Sequence, residues 1–104
     1  MVNTVKEKID EIINTCKQMN VEALYLVGSA SRETDFTPTS DIDFLFRMKM
    51  NAEGMYDSEY DYFDLWFKLE EITGRKVDLI AETGIRNQVF LKNILQDKVK
   101  IYEA

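Results

Sequence analysis

Between residues 3 and 20 the chain repeats an apolar residue every three or four positions. Val5, Ile9, Ile12, Ile13, Cys16 and Met19 fall on one face at about 100° per residue, with Lys6, Glu7, Asp10, Glu11 and Lys17 outside it. This predicts an amphipathic helix, with Asn3 or Thr4 as its N-cap. The period then changes. "ALYLVG" (23–28) is a nearly continuous apolar run closed by glycine, which suits a buried strand. "DIDFLFRMK" (41–49) alternates at first and then turns apolar, predicting a second strand, and "KVDLIAE" (76–82) predicts a third. "DSEYDYFDLWFKLEEITG" (57–74) returns to helical spacing and is stopped by Gly74. "IRNQVFLKNILQDK" (85–98) predicts a last helix, and "VKIYE" (99–103) a short edge strand.

The resulting order is helix, strand, loop, strand, helix, strand, helix. It defines an α/β (α+β) fold in which a small mixed sheet of three or four strands is flanked by about four helices. With no repeat, low-complexity tract or linker, residues 1–104 are expected to form one domain. For Gly28 and Ser29 to meet Asp41, the first two strands must run antiparallel. For Asp78 to reach the same place, the third must run parallel to the second, which a helical crossover permits.

Charge and composition narrow the chemistry. The chain has no histidine and a single cysteine, so Ser-His-Asp and Cys-His catalysis and histidine-ligated metals are excluded, as is an internal disulfide. Cys16 lies in the apolar stripe of the first helix and reads as a buried structural thiol. A net charge of -6 with scattered basic residues argues against nucleic acid as a direct partner. No apolar run approaches membrane-spanning length and the N-terminus carries charges where a signal peptide needs apolar residues, so a cytoplasmic location is expected. Any catalysis must rest on carboxylates and a hard cation.

The candidate chemistry lies in residues 28 to 43, "GSASRETDFTPTSDID". Asp41 and Asp43 are i and i+2 on a strand, hence on one face and roughly 6.5 Å apart along the chain. Two carboxylates so placed repel unless a cation lies beside them, and Mg²⁺ suits an all-oxygen set. Asp78, between Val77 and Leu79, would let the site hold two ions. Gly28 lets the backbone approach a phosphate, Ser29 offers a hydroxyl and an N–H, and Arg32 can turn back toward the same anion.

The spacing of G-S, eleven residues (30 to 40), D-x-D and a later strand aspartate resembles the DNA polymerase β-type nucleotidyltransferase superfamily. Within it, the chain is most similar to the minimal nucleotidyltransferases (MNT). The resemblance runs over nearly the whole length, through "YLVGSASR", "SDIDFLF", "LEEITGRKVDLIAE" and "FLKNIL…VKIYE". It implies that Gly28 and Ser29, with Arg32 and Ser40, hold the nucleotide, and that Asp41, Asp43 and Asp78 bind two Mg²⁺. Asp78 would also help deprotonate the acceptor hydroxyl. The implied reaction transfers NMP, with ATP as the expected donor, to a hydroxyl and releases pyrophosphate. The family loop often reads G-S-x-A-R-G; here Ser31 and Glu33 replace its Ala and second Gly, and a carboxylate at 33 would repel a triphosphate.

Minimal members commonly act as antitoxins beside a HEPN-type RNase toxin, which they bind, adenylylate on a tyrosine, or both. The resemblance therefore implies such a role, the alternatives being a binding-only antitoxin of the same fold and a transferase acting on a small hydroxylated molecule. A protein partner has independent support. In helix 57–73, Tyr62, Leu65, Trp66, Leu69 and Ile72 form one apolar face, while Tyr60, Phe63 and Phe67 fall roughly opposite beside Asp64 and Glu71. A single sheet covers only one face. The second stripe, with Met55 and Tyr56 nearby, needs either a terminal helix of the same chain, a second copy in a homo-oligomer, or a partner protein.

Overall fold

Val5, Ile12 and Cys16 are all fully buried, yet no single straight helix carries them. In the computed structural model, which describes residues 1–33, 36–55 and 62–104, the N-terminal segment forms two helices. These are α1 (Asn3–Lys6) and α2 (Ile9–Gln18), separated at Glu7 and Lys8. Lys8 leaves helical geometry at φ -112°, ψ 11°, and its N–H bonds Val5 O rather than continuing the α-helical ladder. The Val2 N–H is tied to Ala30 O at 3.1 Å, so the turn aims α1 at the end of the first strand while α2 keeps its stripe on the sheet. Neither Asn3 nor Thr4 caps the helix. Val2 takes the N-cap position without a side-chain bond, because α1 starts one residue earlier than an Asn3 cap requires.

The remaining elements are β1 (Val21–Val27), α3 (Ser29–Arg32), β2 (Ile42–Met48), α4 (Tyr62–Thr73), β3 (Val77–Ala81), a 3₁₀ turn (Glu82–Gly84), α5 (Gln88–Gln96) and β4 (Val99–Glu103). The expected start of α4 at residues 57–61, with Tyr56 and Tyr60, lies outside the described residues, as do Thr34 and Asp35 of the long loop. The last helix is shorter than residues 85–98: the 3₁₀ turn and the Asn87 cap, whose side chain accepts from Val89 and Phe90 N–H, set its start. Five α-helices are present among the described residues; the short α1 and α3 stand beside the three longer helices that the element order predicts.

Strand order is β3-β2-β1-β4. β1 is antiparallel to β2 and β4, and β2 is parallel to β3 through the α4 crossover. The fold is the mixed, helix-covered sheet that the sequence pattern implies. Ile42, Phe44, Phe46 and Met48 alternate onto the face covered by α2 and α4. Ala23, Tyr25, Val27 and Leu45 face the other way, toward Ile80, Ile85, Ile94 and Leu95. Central β1 is buried on both faces, which is why it reads as a continuous apolar run. Each fully buried large side chain, Phe44 and Leu69 among them, contributes about 1.5–3 kcal/mol relative to exposure. No helix among the described residues is long and apolar enough to cross a membrane.

Candidate active site

Strand pairing brings the aspartates together. β2 and β3 are parallel and in register, with Asp43 directly beside Asp78. Adjacent strands lie about 4.8 Å apart and paired residues point to the same face, so both carboxylates share the face of Leu45 and Ile80. On the other side of β2, Asp43 pairs with Val27, the last residue of β1, and Gly28 follows. Asp41 immediately precedes β2 and is exposed. Gly28-Ser29 and the three aspartates therefore meet at one end of the sheet.

Gly28 is required at its position. It adopts φ +67°, and a Cβ there would lie 2.5 Å from Asp43 Oδ2. The Asp43 carboxylate thus rests against backbone with no room for a side chain. Burial, the adjacent Asp78 and the preceding Asp41 push the Asp43 carboxyl up to about 6, in that order, with the nearby Arg32 guanidinium acting the opposite way. The site carries an electrostatic deficit that a cation would relieve.

The loop after β1 forms a single helical turn. Ser31 Oγ donates to Gly28 O at 2.7 Å, and the Ser31 and Arg32 N–H groups converge on the same carbonyl. Ser31, read from sequence only as a departure from the family loop, is a buried staple of this turn. Glu33 ends α3 in the left-handed region at φ 71°, and its carboxylate lies 3.4 Å from the Met1 amino group. That ammonium offsets part of the Glu33 charge in this loop. Arg32 stands close enough to Asp43 to influence it, while its Nη1 donates to Asp97 Oδ2 at 3.1 Å, beyond the end of α5. Ser40 Oγ is engaged within its own loop, accepting from Thr37 N–H at 2.9 Å.

Two contributors escaped the sequence reading. Tyr62 of α4 donates to Leu79 O, and its hydroxyl pKa is raised by burial and by the Asp78 carboxylate. Arg75 reaches the loop in front of Asp41. Neither belongs to a D-x-D or G-S pattern, and both require the tertiary fold to find their targets. A cavity of 560 Å³ runs along α5 and one of 340 Å³ lies between the end of β3 and the start of α5, and none of the three aspartates lines them.

Among the described residues, no group of three carboxylates, histidines or cysteines is arranged tightly enough to hold a single ion. Asp43 and Asp78 form the close pair and Asp41 flanks it. The chemistry of the donors nevertheless fits a hard divalent cation, being all carboxylate oxygen beside glycine backbone.

A helix-covered mixed sheet with paired strand aspartates beside a Gly-Ser turn defines a nucleotidyltransferase fold. The chain belongs to the family described as Polymerase beta, Nucleotidyltransferase, which matches residues 7–104. A Methanocaldococcus jannaschii protein assigned as a protein adenylyltransferase is 33% identical over 99 residues, covering 90% of this chain and 95% of that one. Among solved structures, a minimal nucleotidyltransferase superposes with a TM-score of 0.72 at 22% identity, covering 92% of this chain and 91% of that one. A tri-AMPylated Shewanella oneidensis HEPN toxin in complex with MNT antitoxin gives a TM-score of 0.59 at 17% identity, covering 95% of this chain and 72% of the matched one.

Proposed function

We propose that this nucleotidyltransferase transfers AMP from ATP to a hydroxyl on a partner protein in a Mg²⁺-dependent reaction, and that the partner is a HEPN-type toxin for which the chain is the antitoxin. The observation that carries this reading is the register pair Asp43–Asp78, with Asp41 beside it and Gly28-Ser29 at the same sheet end. Bound Mg²⁺ would neutralise charge on the triphosphate and the attacking oxygen.

The chain's own residues account for the rest. Asp41, Asp43 and Asp78 would hold two Mg²⁺ between them rather than enclose one, and Gly28 and Ser29 would present backbone N–H and hydroxyl groups to the phosphates. Arg32 adds a guanidinium within influence of Asp43. The acceptor oxygen forms a bond to the α-phosphorus as the bond to the bridging oxygen breaks. Pyrophosphate departs, and Asp78, exposed at the site, takes the hydroxyl proton. Such catalysis rests on positioning and charge neutralisation and needs no histidine.

The partner's footprint is proposed on α4. Phe63 and Phe67 are 56% and 64% exposed and lean on one another at 6.4 Å between ring centroids. Among the described residues no terminal helix covers them, so one of the alternatives left by the sequence is removed. The HEPN toxin complex and the adenylyltransferase-named relative support a protein acceptor over a small molecule.

The experiment uses ATP labelled at the α- or γ-phosphate, incubated with the chain and a co-purified HEPN-type partner. Label from the α-position is expected on the partner and label from the γ-position in pyrophosphate. Phe63→Ser/Phe67→Ser is expected to lose both complex and transfer. A complex that forms without any transfer would instead establish a binding-only antitoxin, and transfer to small hydroxylated molecules alone would replace the protein acceptor.

A further inference from the structure

Asp41 is the least supported of the three aspartates. It is exposed and precedes the first paired residue of β2. Its backbone, however, is gripped from both sides by the segment that enters β3. Arg75 Nη2 donates to Ser40 O at 2.6 Å and to Thr37 O at 3.0 Å, and the guanidinium lies 4.7 Å from the centre of the Phe36 ring. On the far side, the Ile42 N–H donates to Lys76 O at 2.9 Å. The turn that Arg75 clasps is closed by its own bonds: Ser40 N–H to Thr37 O at 3.1 Å, and Ser40 Oγ beside Thr37 Oγ1 at 3.0 Å.

The bond before Asp41 and the bond after it restrict the rotations that set where its side chain projects. Both come from residues 75 and 76, and Asp78 follows two positions later on the same strand. One stretch, Arg75 to Asp78, thus supplies a carboxylate and fixes the backbone of another. A guanidinium is well shaped for this clasp, since one nitrogen places two protons on two carbonyls while the plane rests against an aromatic ring.

We propose that Arg75 is a positioning residue for the divalent-cation site, holding the Thr37–Ser40 turn and with it the backbone of Asp41 at the flank of the Asp43–Asp78 pair. The proposal rests on the reading of those aspartates as a cation site, and its test separates the two. Mn²⁺ binding to the purified chain is measured from the paramagnetic signal of free Mn²⁺, for wild type, Asp43→Asn, Arg75→Ala and Arg75→Lys. Near-UV dichroism of Trp66 reports folding in each.

Arg75→Ala is expected to weaken Mn²⁺ binding about tenfold, the low end for groups that orient metal ligands. Arg75→Lys keeps the cation but loses the planar fork, and should fall between Ala and wild type while retaining the native dichroism. In a transfer assay, the Mn²⁺ concentration for half-maximal rate should rise while the rate at saturating metal stays near wild type. A merely structural role would not produce that split. If Asp43→Asn loses Mn²⁺ while both folded Arg75 variants bind it as wild type does, the positioning role is overturned and the site stands. If Asp43→Asn binds Mn²⁺ as wild type does, the site falls and the inference falls with it. Should the alanine variant unfold, the lysine variant decides by the same comparison.

Discussion

Asp43 concentrates the electrostatic conflict within the site. It is half-buried against Gly28 with Asp78 at its side and Asp41 two residues before it. Its folded-state carboxyl, pushed up to about 6, lies above the ordinary value of 3.8 that it regains on unfolding. The unfolded chain therefore releases this proton first. The stability tied to Asp43 is fully present below about pH 4 and is lost as pH rises toward 6. Two units correspond to roughly 3 kcal/mol, which solvent screening at a half-exposed site reduces to about 1–2 kcal/mol. Asp43→Asn removes the ionisation, so without metal it should unfold at higher temperature than wild type at pH 7, by about 4–8 °C per kcal/mol. That advantage should shrink toward pH 4. Parallel melting profiles for the two proteins across this range would show that the carboxylate is not strained.

The single-turn helix α3 shows how an element can be legible in position but not in detail. Gly28-Ser29 at the end of an apolar run marks the strand-to-loop transition, and the structure places both there. What the linear pattern hid was why position 33 is glycine in the family loop: the turn ends in the left-handed region, and Glu33 occupies it at φ 71°. A β-carbon there costs about 1 kcal/mol. Glu33→Gly should therefore gain close to that amount in chemical denaturation, less the loss of its contact with the Met1 amino group. A clear loss of stability would mean that the ion pair outweighs the strain. The strands and their directions were legible because burial imposes period-two or continuous patterns, and because the site's chemistry demanded one topology. The break between α1 and α2 was not, since both segments keep helical spacing and the break shows only in the Lys8 dihedrals and its N–H bond to Val5 O. The pairing of α4 with the edge strand was equally hidden. Trp66 donates to Val77 O, Tyr62 to Leu79 O, and Glu70 accepts from Val77 N–H, so polar groups of a free sheet edge are met by helix side chains.

At the scale of the whole molecule, two surfaces stand out. One is the sheet end where β2 and β3 deliver acidic side chains beside the Gly28-Ser29 turn. The other is the aromatic stripe of α4, whose Phe63 and Phe67 stay exposed while Leu65 and Leu69 are fully buried. Asp41, Asp43 and Asp78 were legible as candidates from residue type and spacing. The Arg75 clasp and the tie between Arg32 and Asp97 were not, because they join residues 35 and 65 positions apart. The proposed activity requires the sheet end to bind a nucleotide through a cation. Calorimetric titration of ATP with Mg²⁺ tests this most directly, on wild type and on Asp41→Asn/Asp43→Asn. Saturable binding to wild type, abolished in the double variant and on removal of Mg²⁺, is the expected result. Equal binding to both proteins would contradict it.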